Sequence, residues 1–196
     1  MHVELLDLWV PIVVSAVIAF AASFVMWMVL PVHKKDVKML PDEGPLMTAV
    51  SSMAPEPGLY MFPGCQGGET MKSDAFKARW KAGPWGTLNV VGGPPNFARN
   101  LAVTFIEMVV ISFVVAYLGT LALPRDDEYM HVFRFVGTAA ILGYVFGGFG
   151  CDTFMGRAPR FQFTSAIDSL IYALLTAGTF AWLWPAAETV VPIVTP

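Results

Sequence analysis

The chain has 196 residues, of which 56% are hydrophobic and only 14% charged, with a mean hydropathy of +0.60. Soluble globular chains carry about 25% charged residues, so the composition points to a membrane protein that crosses the bilayer several times. A net charge of −3 without a dense Lys/Arg run excludes a nucleic-acid binder. Cys65 and Cys151 lie far apart and outside any CxxC or His/Cys cluster, which excludes a disulfide framework and a zinc-finger pattern.

After a short acidic leader with Glu4 and Asp7, Leu8 to Leu30 is a 23-residue run without a charge. It is long enough to span a bilayer. Pro11 falls in its first turn, where a missing N–H costs least. A cleavable signal peptide needs a basic leader and a shorter apolar core. Neither is seen, so the run is expected to be an uncleaved first transmembrane helix.

Residues 31–100 are different material, holding more than half of the chain's prolines and glycines and no run that could span. A short strand is expected at Leu59 to Phe62 and another at Thr87 to Val91. Ser73 is a candidate N-cap for a helix reaching about Lys81. In that helix Phe76 and Trp80 share a face, either lying at the headgroup boundary or closing a small core under the loop. Asn100 is the expected cap of the next helix.

Leu101 to Leu123 is the second long apolar run, 23 residues with Glu107 as its one charge. It would rise roughly 34 Å, enough for a hydrocarbon core of about 30 Å. Val132 to Gly150 is a shorter third candidate with Arg134 in its first turn. Phe161 to Trp184 is the fourth. The fold expected is an all-α membrane protein of four transmembrane helices with an irregular segment over residues 31–100. Its parts are residues 1–30, 31–100 and 101–196, the last with helices at about 101–123, 132–150 and 161–184 and a C-terminal tail.

Cytoplasmic loops carry the excess of Lys and Arg. Four spans put ten of the 12 basic residues on one side, in residues 31–100 and in the 151–160 turn. Both termini are therefore expected to be periplasmic and residues 31–100 cytoplasmic. Trp9, Trp182 and Trp184 then fall at the outer interface.

Four stretches resemble a set of small bacterial inner-membrane proteins of unassigned function: VLPVHKKDVKMLPDE at Val29 to Glu43, PGLYMFP at Pro57 to Pro63, VFRFVGTAA at Val132 to Ala140, and DSLIYALLTAGTFAWLWP at Asp168 to Pro185. The resemblance implies a four-helix protein of the bacterial inner membrane. It implies no activity, cofactor or site residue.

Glu107 and Asp168 are the acids inside spans, where ionisable groups are expensive and rarely face lipid. Counting from Leu101 and Phe161 they lie roughly 9 and 10 Å into their helices, at similar depth. A pair there could bind a proton or cation. Near helix N-termini, or paired with arginine or a partner chain, the same acids are structural. Gly143 and Gly147 form a small-xxx-small spacing that Gly148 and Gly150 extend, a candidate helix-packing face. His2, His33 and His131 fall at or beyond the span ends, as solvated or interfacial residues do. No cofactor or metal motif is found. The function expected is a non-catalytic accessory or scaffold subunit packed against other integral membrane subunits in a larger complex, respiratory or photosynthetic. The alternative is a small proton- or ion-coupled transporter using Glu107 and Asp168.

Overall fold

The computed structural model describes residues 2–186. The expected C-terminal tail, residues 187–196, lies outside the described residues. Four helical stretches are long and apolar enough to cross a bilayer: Leu5–Val29, Phe97–Ala122, Tyr129–Phe154 and Pro159–Trp182. They pack as a bundle in which neighbours along the chain run antiparallel. Residues 31–96 leave from one end, the segment end. The described ends of the chain meet at the other, the terminal end.

The first stretch is a 3₁₀ turn, then α1 (Trp9–Phe24), then a widened π turn at Val25–Val29. The segment contains α2 (Gly44–Met53), β1 (Gly58–Phe62), α3 (Gly68–Lys72), α4 (Asp74–Ala82) and β2 (Gly86–Val90). The two strands pair antiparallel, from Gly58 opposite Val90 to Phe62 opposite Gly86. Ser73 caps α4 as expected, its hydroxyl accepting from the Phe76 N–H at 3.2 Å. The structure separates the two aromatics of α4. Phe76 is buried and Trp80 is exposed, so Phe76 closes a small core under the loop rather than facing outward.

The second of these stretches, α5 (Phe97–Ala122), starts a turn earlier than its apolar run. Pro94 and Pro95 cannot continue a helix, so the chain turns helical just after them. The cap is Asn96, accepting from the Arg99 N–H at 2.9 Å, and not Asn100. The third span is longer than the apolar run suggests. It is α6 (Tyr129–Tyr144) followed, after a break at Val145, by α7 (Phe146–Phe154). The fourth is α8 (Pro159–Trp182), whose first turn accepts Pro159 because that N–H has no intrahelical partner.

The most extensive helix packing is between α6 and α8. Val132, Val136 and Ala140 of α6 share one core with Ala173, Ala177 and Phe180 of α8. A Cβ on Gly137 would lie 3.3 Å from the Ala177 Cβ, so small residues let these backbones meet. Of the glycines singled out in the sequence, Gly143 packs on Ile111 of α5. Gly147, Gly148 and Gly150 face open space within this chain. The packing glycine that the spacing did not mark is Gly137. Gly137→Leu is expected to cost about 1–3 kcal/mol by overpacking the α6–α8 contact. Gly147→Leu meets no neighbour and replaces a poor helix former with a good one, so it should not destabilise, as unfolding of the purified protein in detergent would measure.

The terminal end is tied by polar contacts. Arg125 pairs with Asp7 and donates to the His2 carbonyl. The Asp126 N–H reaches the Pro185 carbonyl. Trp9 and Trp182 lie there exposed. Trp184 is instead folded inward over Gly119, its indole N–H donating to the Pro124 carbonyl at 2.9 Å.

Candidate functional site

The site lies at the segment end of the bundle, where the chain leaves α1. The Leu30 N–H bonds the Val25 carbonyl, five residues back, at 2.9 Å. Such π turns occur mostly as single insertions, often at functional sites. Pro31 follows and opens a 3₁₀ turn over Pro31–Lys35 that folds back beneath the bundle. Together these two turns place His33 under α8. The Trp27 ring stacks on the His33 ring, with centroids 3.9 Å apart and planes 2° from parallel.

His33 bridges two carboxylates. Its Nδ1 is 2.8 Å from Asp36 Oδ2, and its Nε2 is 2.7 Å from Asp168 Oδ2. The His33, Asp36 and Asp168 side chains are 5, 0 and 3% exposed. Asp36 also accepts from the Thr164 hydroxyl at 2.7 Å and pairs with Arg160 Nε at 2.9 Å. Arg160 ties the turn further by donating to the Val32 carbonyl. Arg160, Thr164 and Asp168 are four residues apart, so one face of α8 presents all three. The Thr164 hydrogen bond holds the Asp36 carboxyl below its usual range, helped by His33 and Arg160 and opposed by burial.

Both ring nitrogens of a histidine can donate only when the ring is protonated. With a carboxylate at each nitrogen, either His33 is the imidazolium or one acid holds the proton. In the first arrangement two cations, His33 and Arg160, balance two anions, Asp36 and Asp168. That balance is what allows the two carboxylates and the ring to sit together out of water, with Arg160 closing the cluster from a half-exposed position. The expectation of a solvated or interfacial His33 is therefore corrected: its chain position is beyond the apolar run, but the reversed turn buries it against α8.

From this cluster a line of polar groups runs into the bundle. Asp168, Tyr172 and Thr176 follow at every fourth residue of α8. The Trp27 indole lies beside Asp168 and Tyr172. The Tyr172 ring meets the Tyr144 ring edge-on, with centroids 6.1 Å apart. The Tyr144 hydroxyl lies beside Thr176 and Ser112. Ser112 accepts from the buried Ser15 hydroxyl at 3.0 Å. Asp168 Oδ1 and the hydroxyls of Tyr172, Tyr144 and Thr176 are buried without a hydrogen-bond partner among the described residues. Each such atom costs about 1–3 kcal/mol unless water serves it. Beyond Ser15 toward the terminal end the core is apolar, formed by Leu8, Ile12, Val115, Val132, Val136 and Phe180.

No family model, curated protein or solved structure matches the chain.

The two acids of the spans do not pair with each other. Asp168 is held by His33. Glu107 lies on the exposed face of α5, and the described residues offer it no hydrogen bond or ion pair. The helix buries Met108, Ser112, Val115 and Gly119. It turns Ile106, Glu107 and Val110 outward. The sequence did contain the signal for the polar line, in the four-residue repeat of Thr164, Asp168, Tyr172 and Thr176. It held no signal that His33, 135 positions away, would complete it.

Proposed function

We propose that the protein sits in the bacterial inner membrane as a four-span accessory subunit, packed sideways against other integral membrane subunits of a larger respiratory or photosynthetic complex. The observation that carries this reading is Glu107. A carboxylate on an outward helix face, flanked by Ile106 and Val110 and without a hydrogen-bond or ion-pair partner among the described residues, is costly against lipid. A polar group of a neighbouring subunit removes that cost. The open faces of Gly147, Gly148 and Gly150 support the same reading, since small residues admit a close second helix. The positive-inside rule puts residues 31–100 in the cytoplasm and both termini in the periplasm. The role is non-catalytic.

Glu107→Leu is expected to leave the fold intact, because the side chain touches nothing it stabilises. It should strip the co-purifying subunits when the protein is isolated from native membranes in mild detergent. Recovery of the wild type only as a free monomer would overturn the reading.

A second reading, a small proton- or ion-coupled transporter, draws support from the polar line through Asp168, Tyr172 and Tyr144. There Glu107→Gln or Asp168→Asn should abolish flux in proteoliposomes while leaving any assembly unchanged.

A further inference from the structure

A cleft of about 570 Å³ opens at the segment end, between the β1–β2 sheet and the turn that joins α7 to α8. Its size falls within the roughly 300–1,000 Å³ of small-molecule sites. Three separate stretches of the chain build it. Lys38 comes from the stretch that follows the His33 turn. Thr87 and Asn89 share one face of β2, with Leu59 of β1 opposite Asn89. Arg157 comes from the α7–α8 turn, which Gly156 closes with a positive φ of 70°. Arg157 is already held in place. Its Nε lies 3.0 Å from Asp152 Oδ1, and its backbone N–H donates to the Asp152 carbonyl at 3.0 Å. Its guanidinium carbon stands 4.7 Å from the centre of the Phe161 ring, a stacking that suits the planar group. The described residues offer its two terminal nitrogens no partner, and the Lys38 ammonium, the Thr87 hydroxyl and the Asn89 amide have none among them either. The acids of the cleft, by contrast, are taken. Asp152 pairs with Arg157, and Asp36 is turned inward onto His33, Thr164 and Arg160. What remains is one uncompensated positive charge, on Lys38, and donors from three directions.

We infer that this cleft binds a phosphate ester with a hydroxylated head, the chemistry of an anionic glycerophospholipid. The phosphate takes the free edge of the Arg157 guanidinium and the Lys38 ammonium, both as charge-assisted hydrogen bonds. The single negative charge of a phosphodiester matches the single uncompensated positive charge. Thr87 and Asn89, on the sheet wall, serve the hydroxyls of the head. Leu59 and Met155 line the cleft with apolar surface, as the glycerol backbone and first acyl carbons require. The choice of a lipid over a soluble ester rests on the four helices being bilayer spans. That placement sets the cleft at headgroup level, where basic pockets bind anionic heads.

The test uses the full chain in a non-ionic detergent, stripped of native lipid and titrated with phosphatidylglycerol or phosphatidylcholine. Native mass spectrometry counts the lipids retained. One phosphatidylglycerol should be held in preference to phosphatidylcholine. Arg157→Gln should weaken that binding by about tenfold, the loss expected when hydrogen bonds to a charged group go. Arg157 is half exposed, so the variant should fold, and its unfolding in detergent checks this. Lys38→Gln should weaken the lipid as well. Arg99→Gln, at an exposed arginine of the same end but outside the cleft, should not. Added glycerol phosphate separates the two sources. If an equal concentration leaves the phosphatidylglycerol in place, the site takes its ligand from the bilayer. If it displaces the lipid, the cleft is a site for a soluble phosphate ester, and the phosphate assignment stands without the bilayer. Phosphatidylglycerol held no better than phosphatidylcholine, or lost equally in Arg157→Gln and Arg99→Gln, overturns the inference.

Discussion

Replacing His33 with alanine should destabilise the folded protein by about 3–5 kcal/mol, the usual consequence of removing one partner from a buried charged cluster. Two carboxylates depend on this ring. Asp36 retains Thr164 and Arg160, but Asp168 loses the group that pairs with it and stays 3% exposed. The Trp27 ring also loses the surface it stacks on. Lys34→Ala, one position along on the exposed side of the same turn, is expected within about 0.5 kcal/mol of wild type. Unfolding of both variants by a denaturing detergent gives the comparison. A His33→Ala protein as stable as Lys34→Ala would mean that the cluster contributes nothing net.

The same cluster sets an acid limit. The folded-state value of Asp36 is depressed, so its contribution to stability is present above the unfolded value of about 3.9 and disappears as pH falls through the lower folded value. The Pro31–Lys35 turn should therefore resist protease at pH 5 and 7 alike. It should loosen only below about pH 4, and Thr164→Val should move that loosening to higher pH because the largest cause of the depression is gone.

How the sequence led to some of this and not to the rest follows from range. Span number depends on local apolar length, and the four runs are visible without tertiary information. Helix ends depend on caps and on polar first turns, so α5 begins at Phe97 rather than Leu101, and the third span extends through both Tyr129 and Phe154. Glycine spacing was a poor guide because packing needs a small residue on both helices. Gly137 has Ala177 opposite it, whereas Gly147 has nothing. The site was half legible. The repeat from Thr164 to Thr176 lies within one helix and can be read from spacing. His33 could not be placed, since its burial depends on the π turn at Val25–Val29 and the reversal after Pro31, neither of which has a signature beyond the proline. The supposed pairing of Glu107 with Asp168 rested on equal depth. Depth does not fix azimuth, and the two acids point to different neighbours.

Phe180 ends the four-residue series that begins at Thr164, and it turns a polar stripe into a seal. It is fully buried between α8 and the core around Val136. Phe180→Ala is expected to cost about 3 kcal/mol, the low end of the range for such truncations. On the proposal that the four helices span a bilayer, the low end applies, because hydrocarbon chains are as apolar as the core they replace and little transfer free energy separates buried from lipid-exposed side chains. What is lost is close packing. Phe180→Leu should recover most of the loss, since an aliphatic side chain refills part of the gap in the same direction. Phe163, also on α8 but 68% exposed, has no packing to lose, and Phe163→Ala should be nearly silent in the same unfolding assay. Equal effects of Phe180→Ala and Phe163→Ala would show that the α6–α8 contact is not what holds the bundle together. A large effect confined to Phe180 would place the bundle's stability in the apolar half beyond Thr176. The polar half would then be free to carry groups that cost stability.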